Sequence, residues 1–470
     1  MRKKTKIVAT ISDRNCDISF IKELRKAGMN VVRLNTAHQT HEDTLKVVNN
    51  VRAVSKRIAL LLDTKGPEIR TTKAEASFPV KFGDKIYIKG NPEGITSQEL
   101  VYVNYENFVQ DVSVGSRILI DDGSVELLAV EKEGDRLLCE VKNNGSISGK
   151  KSINIPSVDV KLPALSQKDI DFIHFAIDHD LDFIAHSFVR SKEDVLAVQK
   201  ILDERNADIK IIAKIENQQG VDNIDEILDY AYGVMVARGD LAVEIPQERI
   251  PVIQKLLINK CVARRKPVIT ATQMLHSMID NPRPTRAEIS DVANAIYDGT
   301  DAIMLSGETA YGAYPVESVQ TMSNIALSTE SSKNEIKETP FLVINNDISA
   351  FLARSAVNAI TELGTKAIIC DTLTGRTPRA LAAYRGKNLI LAICYREKTM
   401  RELALTYGVY VKYIPRTNAA KEFINVAIDS LTQKSNIMPD DRIIVIAGNF
   451  GDSHGASYME VSSVKNIRNS

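Results

Sequence analysis

The chain lacks the simplest signatures of several large protein classes, and each absence narrows what it can do. It has no net charge: sixty basic and sixty acidic residues cancel. No Lys/Arg-rich run stands out either, so there is no electrostatic footprint for nucleic acid or an anionic membrane. No segment approaches the ~20 apolar residues of a membrane span, and the N-terminal MRKKTKIVATI has only a short strand-like apolar stretch without a cleavage-site pattern. A cytoplasmic protein is expected. The five cysteines (Cys16, Cys139, Cys261, Cys370, Cys394) are odd in number, scattered and never spaced C-x-x-C. That argues against a disulfide framework and a zinc cage and for reduced, mostly packed thiols. Neither G-x-x-x-x-G-K-[ST] nor G-x-G-x-x-G occurs, so a bound nucleotide is not cradled by a P-loop or a Rossmann turn. There is no internal repeat or low-complexity tract.

What is present is a large core. With 470 residues, 44% of them hydrophobic, the chain divides into about three domains at ~150 residues each. Short β-branched runs alternate with helical patterns, the signal of a parallel sheet wrapped by helices. Eight such strands are expected at 6–11, 30–35, 57–64, 183–189, 210–216, 233–238, 267–273 and 302–308, which makes a (β/α)8 TIM barrel the economical architecture. The spacing breaks once, where about 110 residues separate the third strand from the fourth instead of one strand-helix unit. Within that gap DKIYIKG, SRILIDDGSVELLAV and RLLCEVKNNG alternate with period two around Asp-Gly and Asn-Gly turns, so an all-β lid domain is inserted there. STESSKNEIKETP (328–340) reads as a linker. Strands at 366–372, 389–395, 410–415 and 442–448 then alternate with helices in a C-terminal open α/β domain. The expected domains are 1–70 with 162–330 (barrel), 71–161 (β lid) and 341–470 (α/β).

Ligands bind where the C-terminal ends of barrel strands converge, because side chains from many strands meet only there. Those ends supply Arg33 and Asn35, Asp63 and Lys65, Ser187, Lys214 and Glu216, Arg238 and Asp240, Thr272, and Ser306 with Glu308. One polar residue ending a strand is unremarkable, but a ring of them is not. Glu216 and Asp240 on adjacent strands suit a hard divalent cation that keeps positions open for substrate oxygens, and Arg33 and Lys214 beside them suit a phosphate on that metal. The tripeptide Arg238-Gly239-Asp240 follows a buried strand directly, which is the wrong place for an adhesion signal. Gly239 instead permits close backbone approach to a ligand, and a helical turn starting here would offer free N–H groups. His38 and His41 in HQTHE have a tempting H-x-x-H spacing but no evident third ligand.

Together these stretches resemble the pyruvate kinase family: TKIVATI, GMNVVRLN, DTKGPEIR, LPALSQKDI, SFVR, AKIEN, VARGDLAVEIP, ATQML, NPRPTRAEISDVANA and DGTDAIMLSGETA, in family order. The resemblance covers 5–70 and 150–325, and implies phosphoryl transfer from phosphoenolpyruvate to ADP followed by protonation of the enolate. It implies Mg2+ (or Mn2+) on Glu216 and Asp240, charge neutralisation by Lys214, and Arg33 on the phosphate. Substrate contacts would come from Ser187 and from Ala237, Arg238, Gly239 and Asp240, chiefly through backbone N–H groups. Thr272 would serve the proton relay, and His38, Arg70 and Lys151 the nucleotide.

A K+ site would use Asn35, Asp63 and Thr64. Here Ala37 stands where the family has a ligating serine, while Glu68 is the residue type that goes with K+ dependence. His276 replaces a usual glutamate, and ATISDRNCD replaces a glycine-proline turn. In TLTGRTPRA, Thr372, Thr374, Gly375, Arg376 and Thr377 resemble a loop that takes the phosphate of an allosteric effector; a well-capped helix is the plainer reading. The terminal loop 448–461 departs from the family pattern, and a homotetramer is implied. Two alternatives are a non-catalytic regulatory paralogue, and another Mg2+-dependent barrel enzyme acting on phosphoenolpyruvate. ADP-dependent pyruvate release separates both from a kinase.

Overall fold

The computed structural model describes residues 2–156, 158, 160–332, 348–415, 422–435, 437–448 and 456–469. Eight parallel strands close a barrel: Lys6–Thr10, Val31–Asn35, Ala59–Asp63, Phe183–His186, Lys210–Ile215, Gly233–Ala237, Val268–Ala271 and Ala302–Leu305. Closure is made by the first strand pairing with the last, Lys6 opposite Ala302. Alternate residues point inward, so Val8, Leu61, Phe183, Ile212, Met235 and Met304 fill the interior. Their neighbours, such as Ile7, Leu62, Ile184 and Val236, pack against the helices. Capping boxes at Thr40, Ser166 and Thr285 start three of those helices by satisfying backbone donors that a helix leaves bare.

The inserted module is a seven-stranded sheet with its own apolar core, joined to the barrel by two connections, 64–68 and 155–166. Beyond the barrel, the chain differs from the sequence expectation in two places. Residues 328–332 are not linker but the last turns of the helix Pro315–Ser332. Their polar side chains are buried by partners distant in sequence: Glu330 accepts from Lys4 N (2.7 Å), Thr5 N (2.7 Å) and Thr5 Oγ1 (2.8 Å). The rest of that expected linker, 333–340, lies outside the described residues. In the C-terminal domain, four parallel strands (Ala367–Thr372, Leu389–Cys394, Val409–Tyr413, Arg442–Ala447) are joined by a fifth, Tyr458–Ser463, antiparallel to Arg442–Ala447. The expected terminal loop therefore ends in an edge strand, and its residues 449–455 lie outside the described ones.

This domain docks on the lower face of the barrel, where the strands begin. Arg401 Nε meets Asp182 Oδ1 (2.6 Å), Arg385 Nη2 meets Asp301 Oδ2 (2.7 Å), and Lys6 Nζ donates to Val409 O (2.6 Å). Leu405 joins the barrel's interior cluster from below. All five cysteines are free and buried. No helix among the described residues is long and apolar enough to cross a membrane.

Candidate active site

At the upper rim the strands end one to three residues earlier than their apolar patterns do, which moves the chemistry into the turns. Lys214, still on its strand and 9% exposed, is the centre. Its Nζ lies 3.0 Å from Asp63 Oδ1 and 3.0 Å from Glu216 Oε1, and donates to Ser187 Oγ at 2.7 Å. Ser187 in turn donates to Thr64 O (2.6 Å), fixing the hydroxyl's orientation. Asp63 is shared, because Arg33 Nε approaches its other oxygen at 2.5 Å while Arg33 Nη1 donates to Thr10 Oγ1 at 3.0 Å. Two cations thus flank one buried carboxylate.

The electrostatics follow from that geometry. Burial alone would lower the Lys214 pKa, but the carboxylates of Asp63, then Glu216 and Asp240, outweigh it and hold the ammonium above its ordinary value. Burial alone would raise Asp63, but Arg33 and then Lys214 hold it below its ordinary value. Glu216 goes the other way: burial first, and then the like charge of Asp240, push its carboxyl up despite Lys214. Its Oε2 accepts from Phe188 N at 2.6 Å. A carboxyl raised by a neighbouring carboxylate is the state that a divalent cation between them would relieve. Among the described residues no group of three or more His, Cys, Asp or Glu is arranged to hold a metal by itself, so a metal here needs oxygens from the substrate or water.

The strand Gly233–Ala237 passes directly into a helix, Arg238–Glu244. Gly239 is required by packing: a Cβ there would sit 2.6 Å from Thr272 Cγ2. Thr272 itself holds φ +72°, a left-handed conformation that costs a β-branched residue and concentrates at functional sites. The Arg238 side chain does not face the site. Its guanidinium is forked onto Asp291 (2.7 Å to each oxygen) and donates to Ala271 O and Thr272 O, so it braces the strained turn from behind. Glu308 is also withdrawn, accepting from Leu275 N (3.1 Å) and Ser306 N (2.7 Å).

A cleft of about 550 Å³ gathers Arg33, Asn35, His38, Asp63, Lys214, Glu216, Ala237, Asp240 and Thr272. Ser187 and Thr64 lie behind it through Lys214. Arg70 and Lys151 stand apart in the neck of the β module, where their strands pair. Arg70 Nη2 is on Glu68 (2.7 Å), and Lys151 Nζ on Asp121 (2.9 Å). Thr10 was missed by the sequence reading although the first strand ends on it. Gln39, also unanticipated, borders the cleft with both amide atoms buried and without hydrogen-bond partners. In the C-terminal domain Thr372 Oγ1 accepts from Gly375 N (2.8 Å), and Gly375 (φ +77°) caps the helix Arg376–Ala383.

Comparison with known proteins agrees with this geometry. Residues 2–319 match the family model for the pyruvate kinase barrel domain, and 351–462 that for the pyruvate kinase alpha/beta domain. The chain belongs to the pyruvate kinase family. A pyruvate kinase of Borreliella burgdorferi is 48% identical over 98% of both chains. One from Geobacillus stearothermophilus is 45% identical over 99% of this chain and 81% of its own. A crystal structure of a pyruvate kinase from Cryptosporidium parvum superposes with a TM-score of 0.93 at 36% identity, covering 98% of this chain and 96% of that one. The activity is therefore that of a pyruvate kinase, a phosphotransferase that passes the phosphoryl group of phosphoenolpyruvate to ADP and releases pyruvate and ATP.

Proposed function

We propose that the cleft performs this transfer with the residues that line it, and that one observation carries the assignment: an ammonium, Lys214, held 3.0 Å from each of two buried carboxylates. Phosphoryl transfer calls for positioning and charge neutralisation rather than a covalent intermediate. Arg33, kept in place by Asp63 and Thr10, grips the substrate phosphate. Lys214 neutralises charge as the phosphoryl group leaves, and Ser187 with its Thr64 contact fixes the direction of the ammonium. Ala237 to Asp240 offer backbone N–H groups to the substrate carboxylate at the start of their helix; Arg238 contributes its backbone only. Thr272, fixed against Gly239, orients the water that delivers a proton to the enolate.

Glu216 and Asp240 are hard oxygen donors that fit Mg2+ (or Mn2+), which when bound supplies positive charge to the substrate oxygens. Asn35, Asp63 and the Thr64 carbonyl fit K+ in kind, with Ala37 contributing nothing. His38, Arg70 and Lys151 serve ADP, the last two after the β module (71–161) closes over the barrel (1–70 and 162–330) and carries them in. In the C-terminal domain (341–470), the loop with Thr372, Thr374, Gly375, Arg376 and Thr377 takes an effector phosphate. A cytoplasmic homotetramer completes the proposal.

The test is initial-rate pyruvate formation from phosphoenolpyruvate, Mg2+ and ADP, with K+ present or replaced by tetramethylammonium. Rates that need ADP and rise with K+ are expected. Rates indifferent to K+ would remove the monovalent site, and absence of turnover with phosphoenolpyruvate still bound would remove the catalytic roles.

A further inference from the structure

The β module hangs on two connections, and each is tied to the barrel by a carboxylate in the first turn of a helix. On the outgoing side, Asp169 Oδ1 accepts from Lys65 N (3.0 Å) and Gly66 N (3.2 Å). On the returning side the tie passes through one side chain, Arg190. Its Nε and Nη2 meet both oxygens of Asp194 (3.0 and 2.9 Å), and its own backbone N also donates to Asp194 (2.9 Å). The remaining donors reach the connection itself: Nη1 donates to Val160 O (3.1 Å) and Nη2 to Leu162 O (3.1 Å). Arg190 also lines the cleft of about 330 Å³ between module and barrel, together with Glu68, Asn154, Phe188 and Asp240. A planar guanidinium can serve a carboxylate and two carbonyls at once; an ammonium cannot.

We infer that Arg190 is a positioning residue for phosphoryl transfer: it fixes the pivot at Val160–Leu162 about which the β module closes, and so sets where Lys151 arrives. This rests on the proposal that the module is a lid bringing Lys151 to the nucleotide. Arg190 touches no reacting atom. Its contribution is geometric, and small misplacements of a positioned group far from the chemistry cost up to ~10²-fold in rate.

The experiment compares wild type with Arg190→Ala, Arg190→Lys and Lys151→Met. It measures kcat and KM for ADP, the affinity for phosphoenolpyruvate with Mg2+ by calorimetry, and hydrogen exchange of the 155–166 segment. Arg190→Ala is expected to lower kcat/KM for ADP at least ~10-fold. Phosphoenolpyruvate affinity should stay near wild type, and exchange should quicken in 155–166 but not in the barrel strands. Arg190→Lys, which keeps the Asp194 contact but loses the fork, should recover part of the loss. Unchanged ADP kinetics in both Arg190 variants, with Lys151→Met impaired, would overturn the pivot while leaving the lid intact. Lys151→Met with wild-type kinetics would overturn the lid, and the inference with it. Parallel loss of phosphoenolpyruvate affinity and of thermal midpoint in Arg190→Ala would reduce Arg190 to a structural residue.

Discussion

Replacing Lys214 with methionine removes one charge from the densest part of the site while keeping an unbranched stem of similar length. The side chain is 9% exposed and its ammonium serves Asp63, Glu216 and Ser187. Two losses follow. The charge facing the departing phosphoryl group disappears, and removing a preorganised group of this kind raises a barrier by about 2.7–4 kcal/mol, or ~10²–10³ in kcat. The remaining carboxylates also lose a counter-ion. Asp63 keeps Arg33 at 2.5 Å, but Glu216 keeps only the Phe188 N–H, and burial and Asp240 already push its carboxyl up. It can respond by taking a proton, which holds the stability cost near the lower end of the ~3–5 kcal/mol seen when a buried pair is broken. The assay is pyruvate formation coupled to NADH oxidation at saturating phosphoenolpyruvate, ADP and Mg2+, beside calorimetric binding of phosphoenolpyruvate and a thermal melt. A kcat at least ~10² lower with binding retained is expected. A kcat within tenfold of wild type would refute the charge argument, and loss of binding together with the fold would make Lys214 a structural cation.

Gly239→Ala places a methyl 2.6 Å from Thr272 Cγ2; overpacking of this kind costs about 1–3 kcal/mol. Displacement of Thr272 is expected to lower kcat at least ~10-fold by misplacing a positioned group, read from steady-state rates and a thermal melt, whereas Ser12→Ala in the same cleft should change neither as much. His186 is fully buried, and burial above all lowers its pKa to about 4 from 6.5. The fold favours the neutral ring, so its contribution is complete above pH 6.5 and is lost as pH falls through 4, by about 3 kcal/mol. The difference in urea-unfolding stability between wild type and His186→Leu should shift by that amount between pH 7.5 and 4; a pH-independent difference would contradict it.

The eight barrel strands were legible because each is a β-branched run stopped by a polar residue, and the site was legible because the barrel gathers those stops on one face. What the sequence hid were places where the backbone leaves the sheet before the pattern does. Phe188 at φ +55° and Thr272 at φ +72° continue an apolar or β-branched run in a conformation that propensity never favours, so the expected strands ran too far. Side-chain direction was hidden for a different reason. Arg238 sits at the rim like Lys214, but its partner Asp291 is 53 residues onward, and nothing local distinguishes an arginine facing substrate from one bracing a turn. The edge strand Tyr458–Ser463 was missed because its residues are half-exposed and hydroxyl-rich, the composition of a loop.

The same logic runs through the barrel from its lower face. Asp182, Lys210, Tyr232 and Asp301 stand at the starts of four strands, and each meets the C-terminal domain: Arg401 at 2.6 Å, Glu402 at 3.7 Å, Arg379 at 3.2 Å and Arg385 at 2.7 Å. The upper ends of those four strands lead to Ser187, to Lys214 and Glu216, to Asp240, and to Ser306. The strands are only four to six residues long, and their interior is close-packed, so a shift at one end is not absorbed before the other. Leu405, packed into the barrel interior from the C-terminal domain, closes the floor on which these strands stand. Contacts on the lower face of a barrel ordinarily serve stability. Here the strands they hold are the ones that carry the transfer site, so the docking of the C-terminal domain also sets the spacing of the charges that do the chemistry.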